Sequence, residues 1–193
     1  MTLFLILAPY GAFALLMLTT STVSSLFGAA AVCLAIIAFD FMRGRAVKML
    51  GAGSAVIFAA LGCYQVLGNA PLSALGVRIA LDSGLLAIGL VSLIVRRPFT
   101  LQYAREMATS EAMQRPDFLT VNYVITAVWT VAFLLMISAN LLLINLPDLP
   151  LWSGLAMAFL IRNPAVYFSK WYPDYQLRKN KTSSVTATTA PAR

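Results

Sequence analysis

The chain has 193 residues, of which 60% are hydrophobic and 11% charged, against about 45–50% and 25% in ordinary soluble domains. A soluble fold of this length cannot hide so much apolar surface, so the solvent in which it folds is lipid. A net charge of +7 would suggest nucleic acid in a soluble protein, but no basic soluble domain is present, and inner connections of a membrane protein collect cations anyway.

In chain order, the first apolar run covers about residues 2–18, contains Pro9 and Gly11, and stops at Thr19-Thr20-Ser21-Thr22. It lacks the positive n-region of a secretory signal and reads as a retained first span. Further runs cover about 23–42, 46–67, 72–95, 118–146 and 151–168, each long enough to approach or exceed the minimum for a helix crossing a bilayer. The spacing therefore predicts an all-α, polytopic membrane helix bundle of six transmembrane helices over residues 1–177. From Arg178 the chain turns polar and basic, which predicts a disordered tail over 178–193.

Between the fourth and fifth runs lies the longest polar interruption. Arg96 and Arg97 end a hydrophobic run and Pro98 blocks its continuation. Phe99 and Tyr103 then fall one turn apart with Arg105 and Glu106 beside them, which predicts a short amphipathic segment on the cytoplasmic face. With the Arg43/Arg45/Lys48 loop inside, six spans put this segment and both termini inside as well. Of the 14 lysines and arginines, only Arg78 is then assigned to the outer half. That asymmetry is what the positive-inside rule demands, and it predicts a multi-pass protein of a bacterial inner membrane with membrane lipids as neighbours.

The missing residue types exclude most chemistry. With no histidine in the chain, haem ligation by His, His-based metal sites and Ser–His nucleophiles are gone. Cys33 and Cys63 lie singly inside apolar runs and read as small buried hydrophobes. Neither a metal nor a cofactor is expected, and no enzyme.

Arg78 and Asp82 stand four apart and share a helix face near the outer end of the fourth run. An ionisable pair there is either a functional site or an arginine that snorkels outward and steadies the carboxylate one turn deeper. Asp40, at the inner end of the second run, is expected to pair with Arg43 or Arg97. In the fifth run Asn122 and Asn140 are eighteen positions apart (140 − 122), about five helical turns, so they point the same way. Thr126, Trp129, Phe133 and Met136 fall on that line. This stripe reads either as a packing face whose amides bond across helices or as one wall of a ligand site. Gly51, Ala55, Ala59 and Cys63 form a ridge of small residues for close helix approach, and Trp152, Tyr167, Trp171 and Tyr172 read as interfacial anchors.

These elements in this order resemble the intracellular septation protein A family of bacterial inner-membrane proteins. The likeness runs over about residues 1–147 and rests on Pro9, the basic loop Arg43 to Lys48, Arg96-Arg97-Pro98, Asn122, Trp129, Phe133, Ala139-Asn140 and Leu146-Pro147. The resemblance implies a non-enzymatic protein of cell-envelope integrity, septation or division, acting through membrane-protein partners or further copies of the chain. The alternative on architecture alone is a substrate-binding subunit of a small-molecule uptake system, with Arg78, Asp82 and the fifth-run stripe lining its pocket.

Overall fold

A computed structural model of the chain describes residues 2–146, 149 and 152–188. They form α1 (Thr2–Thr19), α2 (Thr22–Met42), α3 (Met49–Leu67), α4 (Ala74–Ile94), α5 (Phe99–Met107), α6 (Ser110–Met113), α7 (Phe118–Ile144) and α8 (Trp152–Thr188). The architecture is all-helical, with no strand among the described residues. α2, α3, α4 and α7 are each long and apolar enough to cross a membrane, and α1 carries a shorter apolar stretch over Ala8–Thr19. This is a membrane protein.

Local chemistry sets the helix boundaries. Ser21 and Ser73 cap α2 and α4, their hydroxyls accepting from the Ser24 and Gly76 amides at 3.2 and 3.1 Å, which satisfies one orphan donor at each start. Both helices end in the same device. At Gly44 (φ +67°) and Arg96 (φ +56°) the backbone turns left-handed. The following amides, Arg45 and Arg97, donate back to the Asp40 and Ser92 carbonyls at 2.9 Å each, which is the Schellman closure. Glycine fits that conformation without strain; arginine does not. At the opposite end Gln65 closes the α3–α4 connection, donating to the Leu72 carbonyl at 3.0 Å and accepting from its amide at 2.7 Å.

The helices pack as a row in the order α1, α2, α3, α4, α7, α8, with α5 lying across α3, α4 and α7. One apolar core joins α1 to α4 around Leu26, Phe58 and Val77; a second joins α3, α4, α5 and α7 around Leu85, Phe99 and Phe133. α4 and α7 approach closely at Gly89, where an added Cβ would lie 2.6 Å from Thr130 Oγ1.

Several boundaries differ from the sequence expectation. α3 begins at Met49 because residues 45–48 are spent on a non-helical turn that aims Lys48 inward. α8 does not end near 168 but continues through Thr188, so residues 178–188 of the expected disordered tail are helical, and 189–193 lie outside the described residues, as does Pro147. At about 1.5 Å per residue the helix is roughly 55 Å long, well beyond a hydrocarbon core of about 30 Å. Pro164 and Pro173 are accommodated within it. Of the small-residue ridge on α3, Ala55 is buried in the α1–α4 core and Ala59 packs against it, but its two ends do not pack. A Cβ at Gly51 would meet nothing and Cys63 is exposed, while the close approaches fall at Gly62 against the Phe27 ring and at Gly53 against Ile88.

Candidate functional site

The cation-bearing connections meet at one end of the bundle. There Lys48 Nζ lies 2.6 Å from Asp40 Oδ2 and 3.1 Å from Glu106 Oε1, so the turn before α3 binds α2 to α5. Asp40 thus pairs with Lys48, and at 3.7 Å with Arg45, not with Arg43 or Arg97. Arg43 instead sits over the Phe39 ring at 4.4 Å. The Met49 amide, an orphan donor at the start of α3, donates to Gln102 Oε1 at 2.7 Å. Thr100 contacts both the Asn122 carbonyl at 2.9 Å, as donor, and Thr126 Oγ1 at 2.8 Å, which ties α5 to α7. Burial, reinforced by the nearby Asp40 and Glu106 carboxylates, pushes the Tyr103 hydroxyl well above its usual range, so it stays protonated. Beside Asp40 lies a cavity of about 30 Å³, room for one water molecule.

A second polar cluster lies inside the bundle. Asp82 on α4 is 4% exposed. Its Oδ2 accepts from Asn140 Nδ2 on α7 at 3.0 Å. Its Oδ1 faces Arg162 of α8 at 3.9 Å, an ion pair too long to be a hydrogen bond. Arg162 Nε reaches Met136 Sδ at 3.3 Å. Arg78, one turn before Asp82 on α4, has its guanidinium 3.0 Å from where Gly154 would carry a Cβ. On the α1 side, Tyr10 and Ser54 share a hydroxyl contact of 2.6 Å.

Between α5, α6, α7 and α8 opens a cleft of about 620 Å³. Its walls are mainly apolar, with Leu85, Phe99, Tyr103 and Phe133 forming the floor and Val166 on the α8 side. Its polar lining groups include Arg162, Trp129 and Ser169, Asn122, and Arg115, Asp117, Lys170 and Asp174. Trp129 Nε1 donates across the cleft to Ser169 Oγ at 3.0 Å, and Arg115 pairs with Asp117 at 2.6 Å.

The stripe expected on the fifth apolar run divides between two environments. Asn122, Trp129 and Phe133 line the cleft. Thr126 is buried beside Thr100, and Asn140 is buried against Asp82. Asn122 spends its amide on the Phe118 carbonyl of its own helix at 2.8 Å, rather than crossing to a neighbour. Arg78 and Asp82 share a face, yet the ion pair that Asp82 makes is with Arg162. In the central segment Pro98, Phe99 and Tyr103 are buried, while Arg96, Arg97 and Arg105 are exposed. Sequence reasoning assigned Arg162 to the inner-side cations, although it lies within the sixth apolar run at 151–168. A lone arginine inside such a run was the available signal. Lys48, Thr100 and Gln102 were also missed, because their partners lie in other elements.

No protein-family model, curated protein or solved structure matches the chain.

Proposed function

We propose that this is a non-enzymatic, multi-pass inner-membrane protein that binds an amphipathic small molecule in the cleft among α5, α7 and α8. The cleft carries the reading. Its volume of about 620 Å³ is that of a site for a drug-sized ligand, and such sites combine apolar walls with a few convergent polar groups. α1 and the first half of α8 complete six spans. The connections bearing Arg43, Arg45, Arg96, Arg97 and Arg115 then face the cytoplasm, together with both termini, and the cleft opens at that side. Binding is favoured over turnover because the chain has no histidine and Ser169 donates to the Ala165 carbonyl rather than to a base.

The test keeps Trp129 as the sole tryptophan (Trp152→Phe, Trp171→Phe) in lipid nanodiscs and follows its emission during titration with twelve-carbon amphiphiles. A saturable change is expected, lost in Ala108→Phe, which fills the cleft. A linear response identical in both proteins would mean simple partition into lipid and would remove the reading.

A scaffold of the cell envelope, the role that the resemblance to septation protein A implies, is favoured by one observation. Asp82 does not open onto the cleft but is enclosed by Asn140 and Arg162, as a purely architectural carboxylate would be.

A further inference from the structure

Arg162 is a partly exposed cation set inside an apolar run. A guanidinium presents five N–H donors in a planar fork matched to a carboxylate. Here one donor goes to a thioether, Met136 Sδ at 3.3 Å, a weak acceptor. Its nearest carboxylate oxygen is at 3.9 Å, beyond hydrogen-bond range. No hydrogen bond from Arg162 to an oxygen is found among the described residues, and its side chain is 33% exposed where it borders the cleft. Asp82 cannot be drawn closer without cost, because its other oxygen is held by Asn140 on α7. A cation so placed within an apolar run is expensive unless a partner completes it.

We infer that Arg162 receives the carboxylate of the ligand, and that the ligand is a single-chain carboxylate amphiphile whose apolar body lies along Phe133, Phe99 and Leu85. The inference rests on the cleft being a binding site and names the chemical class it takes. The volume favours one chain over a two-chain phospholipid, which would need room for two tails and a headgroup. The fork geometry favours a planar carboxylate held by two parallel hydrogen bonds.

Three probes with the same twelve-carbon chain separate the outcomes: dodecanoate, dodecanol and dodecyl phosphate, titrated at pH 8.5 against the Trp129-only protein in nanodiscs. Dodecanoate is expected to bind at least tenfold more tightly than dodecanol. Asp82→Asn/Arg162→Gln removes both members of the ion pair together, and Asn140 keeps an amide partner. In that variant, with folding verified by its thermal midpoint, the dodecanoate preference should fall to within about twofold. Equal, saturable binding of dodecanoate and dodecanol to the unaltered protein would overturn the role of Arg162 while leaving the cleft as a site. Tighter binding of dodecyl phosphate would overturn the carboxylate assignment. A preference that survives in the double variant would place the anion elsewhere, and absence of saturable binding by any probe would remove both this inference and the reading beneath it.

Discussion

The charge-rich end and the interior of the bundle each bury one aspartate, and they complete it differently. Asp40 has an ammonium at 2.6 Å, and that ammonium has a second carboxylate, Glu106, at 3.1 Å. Asp82 has one amide at 3.0 Å and a guanidinium only at 3.9 Å. Through Lys48 the first group fastens α2, α3 and α5 together, while Asp40 Oδ1 meets Arg45 only at 3.7 Å and has no hydrogen-bond partner among the described residues. In the second, a fork of donors points at a cleft with little to hold. Buried charges must be paired, by the protein or by something else, so the cluster whose ammonium is closed between two carboxylates reads as architecture, and the one whose guanidinium stays open, with only a thioether as acceptor, as a place for a ligand.

Removing the ammonium from the closed cluster should do the most damage. In Lys48→Met, Asp40 keeps only Arg45 at 3.7 Å, and the Lys48 and Asp40 side chains are 9% and 4% exposed, so water screens little of the loss. Breaking such a pair costs about 3–5 kcal/mol, whereas replacing both members is far milder. Thermal unfolding in nanodiscs should therefore show a large fall for Lys48→Met and recovery of most of it in Asp40→Asn/Lys48→Met. A double variant no better than the single one would show that Lys48 acts through Glu106 instead.

In the open cluster the corresponding loss is smaller. Asn140→Leu deletes the hydrogen bond that Asp82 receives from α7, worth about 1.5–3 kcal/mol for a charged acceptor. In a thermodynamic cycle with Asp82→Asn the two effects should be less than additive; full additivity would deny the contact. The same helix pair can be probed by distance. Gly89→Ala places a Cβ 2.6 Å from Thr130 Oγ1. Overpacking costs about 1–3 kcal/mol and the better helix propensity of alanine returns about 1, so a net loss of about 1 kcal/mol is expected. In a Thr130→Ala background the nearest Thr130 atom left is its Cβ, at 3.5 Å, an ordinary contact. There Gly89→Ala should become neutral or stabilising, and an unchanged penalty would mean that α4 and α7 are not held apart by that hydroxyl.

What was legible in the sequence follows the same division. Hydrophobic run length is a local property, so the helices α2, α3, α4 and α7 and the amphipathic α5 were readable from composition and spacing alone. Period-3.6 arithmetic placed Asn122, Thr126, Phe133 and Asn140 on one buried face. It did not say which of them would meet a cleft and which a carboxylate, because that depends on where α8 lies. Asp82 with Arg78 was the natural local pairing at four residues. The actual partner, Arg162, is distant in sequence and was hidden by grouping it with the inner cations. The helical continuation of α8 past Arg178 was likewise obscured, since a polar, Thr- and Ala-rich composition lacks an apolar periodicity to signal a helix.

The smallest effect tests how the closed end is built. Arg96 occupies the left-handed position of the Schellman closure at φ +56°, where the equivalent residue after α2 is Gly44 at +67°. A side chain in that region costs about 1–2 kcal/mol. Glycine avoids this but gives the unfolded chain more freedom, which takes back up to about 1 kcal/mol. Because Arg96 is exposed, little packing is at stake, and Arg96→Gly should raise the thermal midpoint by the equivalent of about 0.5–1 kcal/mol. Gly44→Ala, the reverse change at the matching position, should lower it by about 1 kcal/mol. If Arg96→Gly instead destabilised the protein, the guanidinium would have to be contributing something larger than the strain it carries, most directly through the exposed carbonyls at the end of α4, where a cation is favoured by the helix dipole. Arg96→Ala separates the two: it keeps the strained backbone and removes the charge, so it should match wild type if strain alone matters and fall below it if the cation holds the end of α4.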